Sequence, residues 1–197
     1  METHKGFPTF YAKDQKAWHN WLLKHHETEK SVWLILYNKG SEVPCITYDE
    51  ALEEALCFGW IDSVANKRDR QSRYLYCSQR KPKSNWSRVN KVKVEKLLAE
   101  GRMKPAGMAM IELAKRTGTW TALDEVENLV VPADLAEMFE RHPPAAANWE
   151  AFPRSAKRGI LEWIGTAKSP ETRLKRITET ATLAARNERA NQFKPKK

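Results

Sequence analysis

The 197-residue sequence predicts an α+β protein: a mixed N-terminal half with a small sheet and helices, followed by an all-helical C-terminal half. Three observations carry this expectation. The run SVWLILY at 31–37 is short, apolar and unbroken, as in a strand covered on both faces. Residues 61–67 and 73–79 flank the polar stretch RDRQS and read as a β-hairpin. Beyond Pro132, apolar residues recur at helical spacing with no strand-like run.

The elements follow in order. Asp14 is placed to cap a helix running to about His26, with Trp18, Trp21 and Leu22 on one stripe. Residues 39–44 are a loop. Thr47-x-x-Glu50 is a capping box, followed by Ala51, Leu52, Ala55 and Leu56 at helical spacing and by Gly59 as a stop. Pro82 ends the β region. Ser84 is placed to cap the next helix, whose stripe of Trp86, Asn90, Val94, Leu97 and Leu98 runs toward Gly101. A helix over 104–117 is punctuated by Gly118, and 124–132 reads as a loop with a short extended piece at 129–131. Helices are then predicted over 133–141, 145–152 and 154–167. A last helix has Ser169 as its cap, Pro170 at its first position, and Leu174, Ile177, Ala181 and Ala184 on its stripe. The expected division is a 1–104 α+β core holding the site, a helical part over 105–187 packed on it, and a flexible basic tail over 188–197.

Composition narrows the class. Apolar residues at 41% and charged residues at 30% suit a globular protein. No apolar run approaches the roughly 20 residues that span a bilayer, and the first sixteen residues lack a signal-like apolar segment, so a cytoplasmic protein is expected. Cys45, Cys57 and Cys77 are odd in number and lack CxxC spacing, which argues against a disulfide framework or a cysteine zinc site. Cys57 and Cys77 read as buried thiols. The adjacent pair His25-His26 points to different helix faces and makes a poor chelate, so no metal and no cofactor are expected.

The net charge of +9 is unevenly placed. Residues 67–104 hold 13 basic and 3 acidic side chains, whereas 1–66 hold 6 and 10. Such blocks either neutralise one another inside the fold or present a basic face to an anionic partner.

Four segments resemble a known family: YDEALEEALCFGWIDS (48–63), RKPKSNWSRVN (80–90), EGRMKPAG (100–107) and AKSPETRLKRI (167–177). They look like the bacteriocin-protection family, also called YdeI/OmpD-associated or OmdA-like, and they occur in the family's order over nearly the whole chain. The resemblance implies a role in protection from bacteriocins or antimicrobial peptides. It implies a porin association by name alone, and no established chemistry.

The residues suggest three kinds of site. Glu54 or Asp62 could act as a general acid or base beside Arg80 or Lys81. No GxSxG, Cys–His spacing or phosphate-cradling glycine loop accompanies them, so the sequence leans away from an enzyme. The simpler role for Glu50, Glu53 and Glu54 is an ion-pair array with Arg80, Lys81, Lys83 and Arg88. A ligand-binding set of Trp60, Asp62, Arg80, Lys81, Ser84, Trp86 and Asn90 would stack a planar or anionic ligand, Asn90 fixing its edge. The third kind is a nucleic-acid surface of Arg68, Arg70, Arg73, Arg80, Lys81, Lys83 and Arg88, interleaved with aromatics but without a defined nucleic-acid motif. The leading expectation is a binding protein in stress or antimicrobial-peptide tolerance. A sequence-tolerant nucleic-acid binder and an enzyme acting on a small anionic metabolite are the alternatives.

Overall fold

In a computed structural model that describes residues 2–191, the chain forms two compact units that divide between Ala122 and Leu123. The fold is α+β, with a five-stranded sheet in the first half and helices alone in the second.

The first unit contains β1 (Thr3–His4), β2 (Phe7–Tyr11), α1 (Gln15–His25), β3 (Ser31–Tyr37), α2 (Tyr48–Cys57), β4 (Trp60–Lys67), β5 (Ser72–Gln79), α3 (Arg88–Ala99) and α4 (Pro105–Thr117). Strand order is β1-β2-β3-β5-β4. Strands β2 and β3 are parallel and joined through α1, while β3–β5 and β4–β5 are antiparallel. No local pattern in the sequence marks β1 and β2. Strand β2 is stabilised by pairing with distant residues, Thr9 beside Trp33 and Tyr11 beside Ile35, and β1 by pairing with β2.

Alternation along β3 sorts the two sheet faces. Val32, Leu34 and Leu36 join Leu75 and Cys77 in a core with Trp18 and Leu22 of α1 and Leu52, Ala55 and Leu56 of α2. Trp33 and Ile35 face the other way and pack with Tyr74, Tyr76 and Tyr37. This two-sided burial is why β3 reads as an unbroken apolar run. The hairpin lies where expected, with a register shift between Asp62 and Ala65.

Helix α2 is buried along 51–57, two glutamates included. Its capping box is complete: the Thr47 hydroxyl accepts from the Glu50 amide, and the Glu50 carboxylate accepts from the Thr47 amide at 2.9 Å. Gly59, at φ 74°, turns the chain out of α2 into β4. Gly107 lets α4 approach the end of α2. A Cβ on Gly107 would lie 2.3 Å from the Cys57 carbonyl oxygen, and the Lys104 amide donates to that same oxygen at 3.0 Å.

Three expectations for this unit are corrected. The cap of α3 is Ser87, whose hydroxyl accepts from the Asn90 amide, and Ser84 lies in the preceding turn. Trp86 therefore sits before the helix rather than on its stripe, and Leu98 is exposed. Helix α4 belongs to the first unit, with Ile111 and Ala114 in its core, so the unit extends past residue 104.

The second unit comprises α5 (Asp124–Glu127), α6 (Ala133–Glu140), α7 (Ala145–Ala151), α8 (Arg154–Gly165) and α9 (Pro170–Ala185). Its core joins Leu135, Phe139, Trp149, Ile160, Ile164, Ile177, Ala181 and Ala184. The Asn148 side chain donates to the Ala184 carbonyl at 2.8 Å, tying α7 to the end of α9. Ser169 caps α9 with Pro170 at its first position, as its sequence indicates. Two expectations differ. Residues 124–127 form a helical turn, and Leu129 at φ 58° breaks the extended piece expected at 129–131. Leu174 is 58% exposed rather than on the buried stripe. Ala190 is buried in this core, so the chain is packed beyond the start of the expected tail, whose residues 192–197 lie outside the described residues.

Candidate functional site

The site is built where β5 ends. The Arg80 amide donates to the Gly59 carbonyl at 2.9 Å, the Ser84 amide closes a turn onto the Lys81 carbonyl at 2.9 Å, and the Trp86 amide donates to the Thr119 carbonyl at 3.2 Å. Trp86 is buried against Trp120, with ring centroids 5.0 Å apart, and so offers a fixed flat surface. The Arg80 guanidinium lies 3.7 Å from the Trp86 ring centroid, a close cation–π contact.

Arg80 is 5% exposed, and its bonding is incomplete. One terminal nitrogen, Nη2, donates to the Asn85 carbonyl, while Nε and Nη1 have no hydrogen-bond partner. Among the described residues no carboxylate pairs with it. Burial alone pushes its pKa down to about 10. A buried guanidinium with unmade bonds is costly and calls for an explanation.

Arg80 lines a cavity of about 630 Å³ on the sheet face that carries Tyr76. Register brings its floor together: Ser31 of β3 and Ile61 of β4 both sit beside Ser78 of β5. The wall holds three cations (Lys30, Arg80, Lys81), four serines (Ser31, Ser63, Ser78, Ser84), an apolar side of Phe7, Ile61, Tyr76 and Pro82, and Gln79. No carboxylate, histidine or cysteine lines it. None of the four serine hydroxyls bonds another described group, and neither lysine has an ion pair among the described residues. The rim is pinned by Gln79, which donates to the His26 carbonyl at 2.9 Å and the Glu29 carbonyl at 3.1 Å. A second cavity of about 310 Å³ lies against Arg80 from the side of Trp60, Gly59 and Met110.

Of the ligand-binding set read from the sequence, Arg80, Lys81 and Ser84 share the first cavity and Trp86 supports Arg80. Trp60 is buried, reaches only the second cavity, and gives its indole N–H to the His26 carbonyl at 3.1 Å. Asp62 points elsewhere. It accepts from the Tyr48 hydroxyl at 2.9 Å, and burial together with this bond pushes Tyr48 up to about 12. Asn90 lines neither cavity. The ligand-binding set read from the sequence lacks Phe7, Lys30, Ser31, Ser63, Tyr76 and Ser78. Alternation in β5 (Ser72, Tyr74, Tyr76, Ser78 on one face) was the one signal that a polar and aromatic face existed.

Glu54 is remote from this cavity and engaged in another way. It accepts from Gln15 at 2.7 Å and Arg102 at 2.8 Å, and its second oxygen lies 2.8 Å from His19 Nδ1. Burial would raise its carboxyl, but the bonds from His19, Arg102 and Gln15 prevail and hold it below the usual range. Glu53 is held down in the same way by Lys96 and Arg102 against burial. The ion-pair array therefore exists, but its cations are Lys93, Lys96 and Arg102, not Arg80, Lys81, Lys83 and Arg88. Helices α2 and α3 pack together, which brings the α3 lysines over the glutamates. Of the basic set, Arg68 is paired with Glu2 at 3.0 Å and Arg80 is buried; Arg70, Lys81 and Lys83 are exposed, and Arg73 is partly so.

Among the described residues no group of three or more His, Cys, Asp or Glu side chains could hold a metal ion, and no helix is long and apolar enough to cross a membrane.

Two family models match the sequence. A domain of unknown function (DUF8412) covers residues 10–110, just over half of the chain, and the chain belongs to that family. The bacteriocin-protection, YdeI or OmpD-associated family (OmdA) covers residues 128–187, which supports the resemblance drawn from the sequence segments. Segment 167–177 falls inside the second match, and the three segments between 48 and 107 fall inside the first. No curated protein and no solved structure matches the chain.

Proposed function

We propose that this is a binding protein whose ligand is a small anion held in the Arg80 cavity, and that it serves tolerance of bacteriocins or antimicrobial peptides in the cytoplasm. The observation that carries the ligand class is Arg80: a buried cation with two unmade hydrogen bonds, in the wall of a cavity that contains no carboxylate. A protein retains such a group against its desolvation cost when a bound partner repays it. The unspent serine hydroxyls and the two lysines beside it supply further donors for an anion.

Binding is a better reading than catalysis because no carboxylate, histidine or cysteine lines the cavity to act as general base or nucleophile. The tolerance role rests on the partial OmdA match and on the family's description. Calorimetric titration of the purified protein with inorganic phosphate, sulfate and citrate at low salt tests the ligand class. Saturable binding of at least one anion, weakened in Lys81→Gln, supports it, and heat no different from buffer for all three refutes it. Unchanged sensitivity of a deletion strain to bacteriocins and cationic peptides would refute the tolerance role.

A further inference from the structure

The anion-binding reading leaves the class of anion open, and the cavity's two ends narrow it. At one end stand Lys30, Arg80 and Lys81, brought together because Ser31, at the start of β3, pairs with Ser78, near the end of β5. Lys30 immediately precedes Ser31, and Arg80 follows Ser78 by two residues. Three cations and the hydroxyls of Ser31, Ser78 and Ser84 exceed what one carboxylate, with a single charge and two oxygens, can use. A phosphate monoester carries about −1.5 to −2 charges at neutral pH and three terminal acceptor oxygens, which suits this donor set.

The other side of the same cavity is aromatic. Phe7 is 44% exposed and meets Tyr76 edge-on, with centroids 5.8 Å apart and planes at 73°. Tyr76 is itself held by Trp33 at 4.8 Å. An exposed ring braced from behind by a second aromatic and open to a cavity is a stacking surface. The volume of about 630 Å³ falls within the range of sites that enclose one metabolite-sized ligand.

We infer that the Arg80 cavity binds a phosphate monoester joined to a planar ring, of the nucleoside-monophosphate class, with the phosphate at Lys30, Arg80 and Lys81 and the ring against Phe7 and Tyr76. This rests on the anion-binding reading and goes further by requiring two recognition ends. A carboxylate metabolite would use the basic end and ignore Phe7. A bare inorganic anion would do the same.

The test is calorimetric titration of the full chain with adenosine 5′-monophosphate, adenosine, inorganic phosphate and citrate, repeated on Phe7→Ala and Lys81→Gln. The expected result is that adenosine monophosphate binds about tenfold or more tightly than phosphate or citrate, since stacking one base contributes about that much. Phe7→Ala should remove most of this advantage, lowering affinity for adenosine monophosphate far more than for phosphate, because Phe7 belongs to the aromatic end and is exposed, outside the main core. Lys81→Gln should weaken both phosphorylated probes together. Citrate matching or exceeding adenosine monophosphate would overturn the inference while leaving the anion reading intact. So would equal affinities for adenosine monophosphate and phosphate with no effect of Phe7→Ala. Failure of all four probes would overturn both. Tighter binding of a 5′-phosphorylated dinucleotide would support the same pairing of phosphate and ring, with a strand end as the source in place of a free metabolite.

Discussion

Replacing Arg80 by methionine should stabilise the protein and abolish anion binding. The guanidinium is 5% exposed and its pKa is pushed down to about 10 by burial alone. At ~1.36 kcal/mol per pH unit, the charged form is penalised by about 3 kcal/mol in the fold. The Trp86 contact offsets roughly 0.5–2 kcal/mol of that. The bond lost to the Asn85 carbonyl costs little, because Asn85 is exposed and its oxygen can take water instead. Methionine fills a similar volume over the indole without a charge. The net gain is about 1–2 kcal/mol, which raises the melting temperature by about 2–8 °C for a chain of this length. A basic group with a depressed pKa penalises the fold at every pH below its folded value. The gain should therefore be constant across the neutral range and begin to shrink only above about pH 10. Thermal unfolding followed by circular dichroism, with an anion titration on the same samples, measures both quantities. A variant that melts several degrees lower than the parent, or one that still binds anion with unchanged affinity, would refute the reasoning.

Other outcomes follow from the buried helix α2 and its neighbours. Glu54→Gln should destabilise by about 1–3 kcal/mol, because Arg102, His19 and Gln15 lose their charged acceptor. A carboxyl held below its ordinary value contributes stability that is fully present above about pH 4.5 and is lost as pH falls through the lower folded value. Acid titration should thus find the parent losing stability below about pH 4.5, and Glu54→Gln showing a shallower loss. Gly107→Ala should cost at least ~2 kcal/mol in chemical denaturation, since its Cβ would lie 2.3 Å from the Cys57 carbonyl oxygen in a tightly packed contact. Thr47→Ala should cost about 1 kcal/mol by removing the acceptor that caps α2.

How far the sequence spoke for itself depended on how local each cause was. Strand β3 declared itself because both its faces are covered, and α2 because its capping box lies within four residues. The segment EGRMKPAG marked a place of consequence, and its role is structural: Arg102 clamps Glu53 and Glu54, and Gly107 admits α4. Ser84 is the cap that the sequence suggests. The choice fell to Ser87 because Trp86 is drawn into the core beside Trp120, a residue far along the chain. By sequence the nearest basic segment is the natural partner of the α2 glutamates, but packing brings Lys93, Lys96 and Arg102 to them instead. That reassignment leaves Arg80 without a counter-charge among the described residues. Half of the candidate site was therefore visible as the Arg80, Lys81, Ser84 and Trp86 cluster. The other half comes from β2, β3, β4 and β5, whose serines and aromatic rings meet only through sheet register.

The most direct test of the central claim is an anion titration of the parent protein beside Arg80→Met and Lys81→Gln at low ionic strength, with folding of each variant verified. Saturable binding of at least one of phosphate, sulfate and citrate to the parent is expected, lost in the first variant and weakened in the second. Equal binding by all three proteins, or none by the folded parent, would contradict it.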